Sequence, residues 1–251
     1  MTQSPAPAPA PVVDVTNVHF IDQCGSNFLF RGAEPLTGST PNWQFNYGGL
    51  KESIAKAATA AKVKLPENYR IIDISLLQLE NSDEIPKVQT EYQYFQDHPD
   101  QGEFHFWETN GTSLCPIGRS FPNIAFRNWL AINLDSWMDD TLVHRIETLR
   151  SWLEKPGPAT VIFAHCHGGD DRTGELAGAY YMRFLKMSWE DMNALNQKFA
   201  GQPFGCNNYR ATLWYCIYLV EKLGYQLNYN QVFDCNGGQG WGILAECRPD
   251  T

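Results

Sequence analysis

Val161-Ile162-Phe163-Ala164-His165-Cys166-His167-Gly168-Gly169-Asp170-Asp171-Arg172-Thr173-Gly174 is the stretch on which the reading of this chain turns. Its opening, Thr160 to Ala164, is β-branched and aromatic and reads as a buried strand. Two glycines follow, and from Thr173 to Leu185 small and apolar residues read as a helix. A strand that curls through a loop into a helix points several backbone N–H groups at one place, and the helix dipole adds to them. Such a place favours an anion, and it favours a thiolate over a thiol at Cys166. Gly168 and Gly169 permit the tight curl and the close approach of backbone to ligand. Arg172 offers two parallel N–H donors to phosphate oxygens, which Lys does not. Thr173 is placed to donate its hydroxyl to the sulfur and ease its departure. The predicted chemistry is attack of Cys166 on phosphorus, then hydrolysis of a cysteinyl phosphate.

Outward from this loop, helices alternate with buried strands, which predicts an α/β or α+β protein with a central sheet. Residues 50–63 carry helical periodicity, Arg70 to Leu76 reads as a strand, and Asn27 to Gly32 reads as a short strand entering a turn. Leu142, Ile146, Leu149 and Leu153 mark one face of a helix that Pro156-Gly157-Pro158 stops. Ser188 with Asp191 forms a capping box for a further helix. Arg210 to Leu223 is a last apolar helix with Gly224 as its C-cap. Residues 78–125 mix Pro, Gly, Asn and aromatics, with short extended pieces such as Phe104 to Trp107, and read as an insertion or substrate-covering loop. Residues 1–14 read as an extended Pro/Ala tail, and 15–251 as one domain.

The chain has 251 residues, and its 43% hydrophobic content suffices for a sizeable core. Its formal charge of −9 argues against a nucleic-acid binder and against a polybasic membrane contact. One local basic pocket still suffices for an anionic substrate. The seven cysteines show no CxxC pair and no zinc ladder, so they read as free thiols in a reducing compartment. No run is apolar for long enough to cross a membrane, and the N-terminus lacks the pattern of a signal peptide. The expected location is cytoplasmic, with an exported effector as the alternative. No GxxxxGKS or GxxxxGKT occurs, which removes a nucleotide-binding loop.

His165, Cys166, Gly169, Arg172 and Thr173 match the pattern HCxxGxxR followed by Ser or Thr. Through them the chain resembles the protein tyrosine phosphatase superfamily. The loop HCHGGDDRTG is similar to that of bacterial tyrosine and dual-specificity phosphatases with HCxxGKDRTG. It also resembles myotubularin-type lipid phosphatases, which likewise carry Asp before the Arg. Asp170 stands where the bacterial type has Lys. Asn27 to Ala33 and Ile71 to Ile74 are similar to early strands of such enzymes, and Asn207-Asn208 lies where relatives often open their last helix. The resemblance implies a twisted central sheet flanked by helices and a phosphate held by His167, Gly168, Gly169, Asp170, Asp171 and Arg172. It implies support from His165 and Asn208, and neither cofactor nor metal. Phosphoproteins, phosphoinositides and soluble inositol phosphates are the implied substrates. A pseudophosphatase that binds phosphorylated partners without turnover is the rival reading.

The leaving oxygen needs a proton. Relatives often take it from an Asp about thirty residues before the Cys, where Asp135 stands in Asn133-Leu134-Asp135-Ser136-Trp137. Asp139, Asp140 and Asp171 are the other candidates. Two unit charges about 4 Å apart repel by about 4 kcal/mol at an effective dielectric of 20. Asp171 therefore either turns away from the phosphate to brace the loop or is itself the donor. His165 is expected to shape the loop by bonding backbone. His167 is expected either to meet substrate or to stand in solvent. Asp139 and Asp140 fit the acidic first turn of a helix.

Overall fold

The structure, a computed structural model, describes residues 17–117, 121–201 and 204–227. The expected tail at 1–14, together with Cys235 and Cys247, lies outside the described residues. Five strands form a mixed central sheet in the order β1-β2-β7-β5-β6. They are β1 (His19–Cys24), β2 (Asn27–Ala33), β5 (Arg70–Ser75), β6 (Gly102–Phe106) and β7 (Thr160–Cys166). β1 runs antiparallel to β2, and the pairs β2·β7, β7·β5 and β5·β6 are parallel. A separate hairpin joins β3 (Leu36–Ser39) to β4 (Asn42–Phe45).

β7 sits at the centre of the sheet because both of its faces are apolar. Val161 and Phe163 join Phe28, Phe30 and Ile71 in one core, under Leu50 and Ile54 of α1 (Tyr47–Ala60). Ile162 and Ala164 join Leu29 and Ile74 in the other core. This alternation is the period-2 pattern of a strand covered on both sides. The second core is closed by α4 (Leu142–Glu154), α5 (Asp171–Phe184) and α7 (Cys206–Leu223). Its aromatic and aliphatic side chains, among them Trp214, Tyr180 and Leu213, are fully buried. Truncating one, as in Trp214→Ala, costs about 3–5 kcal/mol. The expected helix boundaries hold to within a few residues. Ser188 caps α6 (Trp189–Ala200) by accepting from the Asp191 N–H at 3.0 Å, and Gly224 closes α7 in the left-handed conformation at φ 69.

Two readings change. Part of the stretch expected as a loop, 78–125, is α2 (Ile85–Asp97), and the extended piece read near Phe104 is β6, which extends the sheet. Pro86 and the scattered aromatics masked the helix, although Pro in the first turn costs it no hydrogen bond. The stretch ends at the start of α3 (Ile124–Ile132). Second, Cys115 and Cys206 are disulfide-bonded, whereas Cys24, Cys166 and Cys216 are free thiols. Disulfides require thiols close in space, which spacing along a chain does not reveal. No described helix is long and apolar enough to cross a membrane.

Candidate active site

β7 ends at Cys166 and α5 starts at Asp171, so the chain turns from sheet to helix within four residues. The turn depends on Gly169, whose φ is +78. A Cβ there would lie 2.6 Å from the Gly32 carbonyl carbon and 2.7 Å from the Ala33 nitrogen. Gly168 has no such constraint: its added Cβ would meet only the end of the Asp170 side chain, at 2.9 Å. Asp170 occupies the N-cap of α5 and makes no side-chain bond to the helix N–H groups. The first-turn N–H groups of α5 therefore face the loop without a capping side chain, which suits an anion. Cys166 is 3% exposed at the head of this turn.

Arg172 is anchored by Glu84, a residue far outside the loop motif. Its Nη1 donates to Glu84 Oε2 at 2.7 Å and its Nη2 to Glu84 Oε1 at 2.8 Å. Nη1 also reaches the Leu76 carbonyl at 3.3 Å. These bonds occupy the end of the guanidinium. The Nε–H and the second Nη2–H remain as a side-on fork of the kind that matches two phosphate oxygens. Burial works to lower the Arg172 pKa, but Glu84 and the neighbouring Cys166 raise it above its ordinary value.

Glu84 belongs to a stripe on α2. Glu84, Lys87 and Glu91 stand at i, i+3 and i+7, one face of the helix, and all three are buried. Lys87 Nζ donates to Glu34 Oε1 at 2.7 Å, lies 3.0 Å from His167 Nδ1, and sits over the Trp43 ring at 4.7 Å. His167 Nδ1 in turn bonds Glu34 Oε1 at 2.8 Å, and the Glu34 N–H donates to the His167 carbonyl at 3.3 Å. The His167 side chain is 65% exposed, so it stands at the rim of the loop. The Glu34 bond raises its pKa.

Glu91 reaches the residue before the nucleophile. His165 Nε2 lies 3.3 Å from Asp73 Oδ1 and 3.7 Å from Glu91 Oε1, and all three side chains are fully buried. The His165 ring therefore faces carboxylates and does not bond the loop backbone as expected. Burial alone would lower its pKa, but the Glu91 and Asp73 carboxylates lift it to about 9. Burial pushes the Glu91 carboxyl up to about 8.

From below, fully buried Arg31 of β2 donates Nη2 to the Gly169 carbonyl at 2.9 Å and Nη1 to Asn196 Oδ1. Asn196 Nδ2 donates onward to the Gly174 carbonyl at 3.0 Å, which ties α6 to α5. Asn208 Nδ2 donates to Glu175 Oε2 at 2.8 Å and ties α7 to α5.

Three of the four carboxylates considered as proton donors hold structural bonds. Asp135 accepts from the Val143 and His144 N–H groups at 3.0 and 2.7 Å, so both of its oxygens cap α4 from outside the helix. Asp171 Oδ1 accepts from the Gly205 N–H at 2.6 Å, at the N-cap of α7. Asp140 does not open a helix: it accepts from the Asn110 and Gly111 N–H groups at 2.8 and 2.6 Å and holds that turn. The Thr173 hydroxyl is buried and makes no hydrogen bond, to sulfur or otherwise.

The sequence reading missed Arg31, Glu34, Glu84, Lys87, Glu91 and Asn196. The i, i+3, i+7 spacing of Glu84, Lys87 and Glu91 was the one signal that pointed to a shared helical face. No protein-family model matches the chain, and no relative is found among the curated proteins.

Proposed function

We propose that this chain is a cysteine-dependent phosphomonoesterase with a fold of the protein tyrosine phosphatase kind. The observation that carries the reading is the joint placement of Cys166 and Arg172. They stand at the two ends of one turn at the N-terminus of α5, with Glu84 bonded to the far end of the guanidinium. In the first step the Cys166 sulfur forms a bond to phosphorus, the ester P–O bond breaks, and the alcohol leaves with a proton from a carboxylic acid. Water then attacks the cysteinyl phosphate, releases inorganic phosphate and restores the thiolate. Arg172 and the N–H groups of the loop hold the equatorial oxygens in both steps.

The surroundings of the loop bear on the substrate. Lys87 is already paired with Glu34, and Asp170 and Asp171 add negative charge. That balance favours one phosphate on a larger body, as in a phosphoprotein or a phosphoinositide, over a highly phosphorylated soluble inositol. The disulfide-bonded Cys115 and Cys206 support a chain that spends time where thiols are oxidised, which ranks the exported alternative above a cytoplasmic one.

A second reading, a module that binds phosphorylated partners without turnover, draws on the structural bonds of Asp135 and Asp171. Phosphate release from phosphotyrosine peptides, phosphoinositides and inositol phosphates separates the two readings. The expected result is turnover that vanishes in Cys166→Ser, a loss of roughly 10⁴-fold or more, with substrate binding retained. A variant that keeps a tenth of the wild-type rate would remove Cys166 as the nucleophile. Binding without turnover in the wild type would establish the second reading.

A further inference from the structure

Behind the loop lies a group of side chains that the proposed chemistry does not use. Asp73 and Ser75 stand two apart on β5 and so share one face of the sheet, and His165 is the cross-strand neighbour of Ser75 on β7. Glu91 enters from α2, which covers that face. Asp73, Glu91 and His165 each offer one ligand atom, and the three atoms lie within 4.8 Å of one another. All four residues are fully buried. Both carboxylates, both imidazole nitrogens and the Ser75 hydroxyl lack a well-formed hydrogen bond, and the His165–Asp73 approach of 3.3 Å is a loose ion contact.

Five polar functions without a well-formed hydrogen bond in one spot are costly, because each has lost its hydration and gained no good partner in return. Two buried carboxylates add a charge that some cation must offset. An imidazolium at His165 would offset one of them and a divalent ion would offset both; Lys87 and Arg31 are committed elsewhere, to Glu34 and to the Gly169 carbonyl. Metal–ligand bonds of about 2.0–2.2 Å in a tetrahedral site put neighbouring ligand atoms about 3.4 Å apart. The His165–Asp73 and His165–Glu91 separations of 3.3 and 3.7 Å bracket that spacing. One imidazole and two carboxylates suit a divalent ion such as zinc or manganese, and a wholly oxygen-liganded ion such as magnesium is a poorer match.

We propose that Asp73, Glu91 and His165 bind one divalent transition-metal ion that fastens α2 to the strand end carrying Cys166. The ion is structural. It lies beneath the loop, joins helix to sheet at the residue before the nucleophile, and takes no part in the bonds made and broken at phosphorus. The inference does not depend on the phosphatase reading, and its test uses no substrate.

The full chain is stripped of metal by dialysis against a chelator. It is then equilibrated separately with zinc and with manganese, and metal content and thermal unfolding are measured. The expected result is one ion retained per chain, with a rise in Tm of several degrees for at least one of the two metals. Glu91→Gln and Asp73→Asn, close in shape, should each weaken retention at least tenfold. Cys166→Ser should keep the ion, because a metal bound by the thiolate would be lost with it. If the stripped wild type takes up no ion and gains no stability, the proposal fails and protons fill the cluster instead. It fails equally if the ion leaves in Cys166→Ser or stays undiminished in both carboxamide variants.

Discussion

Two acidic segments flank the sheet, and they spend their charges differently. On one face α2 turns Glu84, Lys87 and Glu91 inward, and each meets a residue at or beside the 166–172 loop. On the other face, where Leu134 and Met138 join the core with Ile162, Asp135 and Asp140 give their oxygens to backbone N–H groups of α4 and of the 110–111 turn. The family resemblance puts the expected proton donor in the second segment and assigns the first no role at all. Charge in the chain is therefore a poor guide to the site until its partner is known. A carboxylate bonded to peptide N–H groups holds an element in place, whereas one bonded to Arg172 decides where that guanidinium points.

The comparison breaks most visibly at Asp135. If it is the proton donor, its carboxyl must leave the α4 cap when substrate binds, and Asp135→Asn should show two separate effects. The rate on poorly activated esters should fall roughly 10²–10⁴-fold, with little change for p-nitrophenyl phosphate, whose leaving group needs no proton. Stability should fall by at most about 1 kcal/mol, since the amide keeps one acceptor oxygen for the cap. Asp171→Asn should harm both substrates alike through its bond to Gly205. A uniform loss in Asp135→Asn, with leaving-group dependence in Asp171→Asn instead, would move the donor into the loop.

The α2 side sharpens at Arg172. Arg172→Lys keeps the charge and loses the fork, so kcat/KM should fall roughly 10²–10³-fold, as when an oriented donor to a developing anion is removed. Glu84→Gln keeps an acceptor for one nitrogen and should cost about tenfold, the effect of a residue that orients another. Steady-state kinetics on both variants checks the order. A Glu84→Gln enzyme as poor as Arg172→Lys would mean that the anchor matters as much as the fork.

The two glycines give a contrast within the loop itself. Gly169→Ala forces a side chain into a left-handed φ and against the backbone of β2, so it should destabilise by about 1–3 kcal/mol or more. Gly168→Ala displaces only the mobile end of Asp170 and should cost well under half as much. Urea unfolding of the pair reads the difference, and equal losses would show that the curl depends on both positions.

How far the sequence could be read follows from the range of each signal. Strand β7, the loop and α5 were legible because periodicity and glycine placement are local properties of 161–185. The capping of α6 by Ser188 and the C-cap at Gly224 were legible for the same reason. The partners of Arg172 and His165 come from Glu84 and Glu91, about eighty residues earlier in the chain, and no local pattern encodes such a meeting. Arg31 lay inside a strand that was read correctly, yet its role depends on which strand pairs with β7. The disulfides at Cys115 and Cys206 escaped for the same reason, since proximity in space leaves no trace in spacing.

The smallest expected effect tests the rim, where the α2 stripe meets solvent. His167 bonds Glu34, which raises the His167 pKa above its ordinary 6.5. Burial works to raise the Glu34 pKa, but the bonds from His167 and Lys87 hold it below its ordinary 4.5. A raised histidine pKa contributes stability that is full below the unfolded value and is lost as pH rises through the folded one. A lowered carboxyl pKa contributes stability that is full above the unfolded value and is lost as pH falls through the folded one. The His167–Glu34 pair should therefore stabilise only in mildly acidic solution, above the Glu34 titration and below that of His167. On the alkaline side Lys87 still holds Glu34. Because the His167 side chain is largely exposed, screening limits the pair to about 0.2–1 kcal/mol. Denaturant midpoints for wild type and His167→Gln, taken from about pH 5.5 to about pH 8.5, should differ most at the acidic end and converge at the alkaline end. A difference that stays constant across that range would mean that neutral imidazole bonds Glu34 as well as imidazolium does. The rim would then carry no pH-dependent charge, unlike the buried contacts that α2 makes deeper in the molecule.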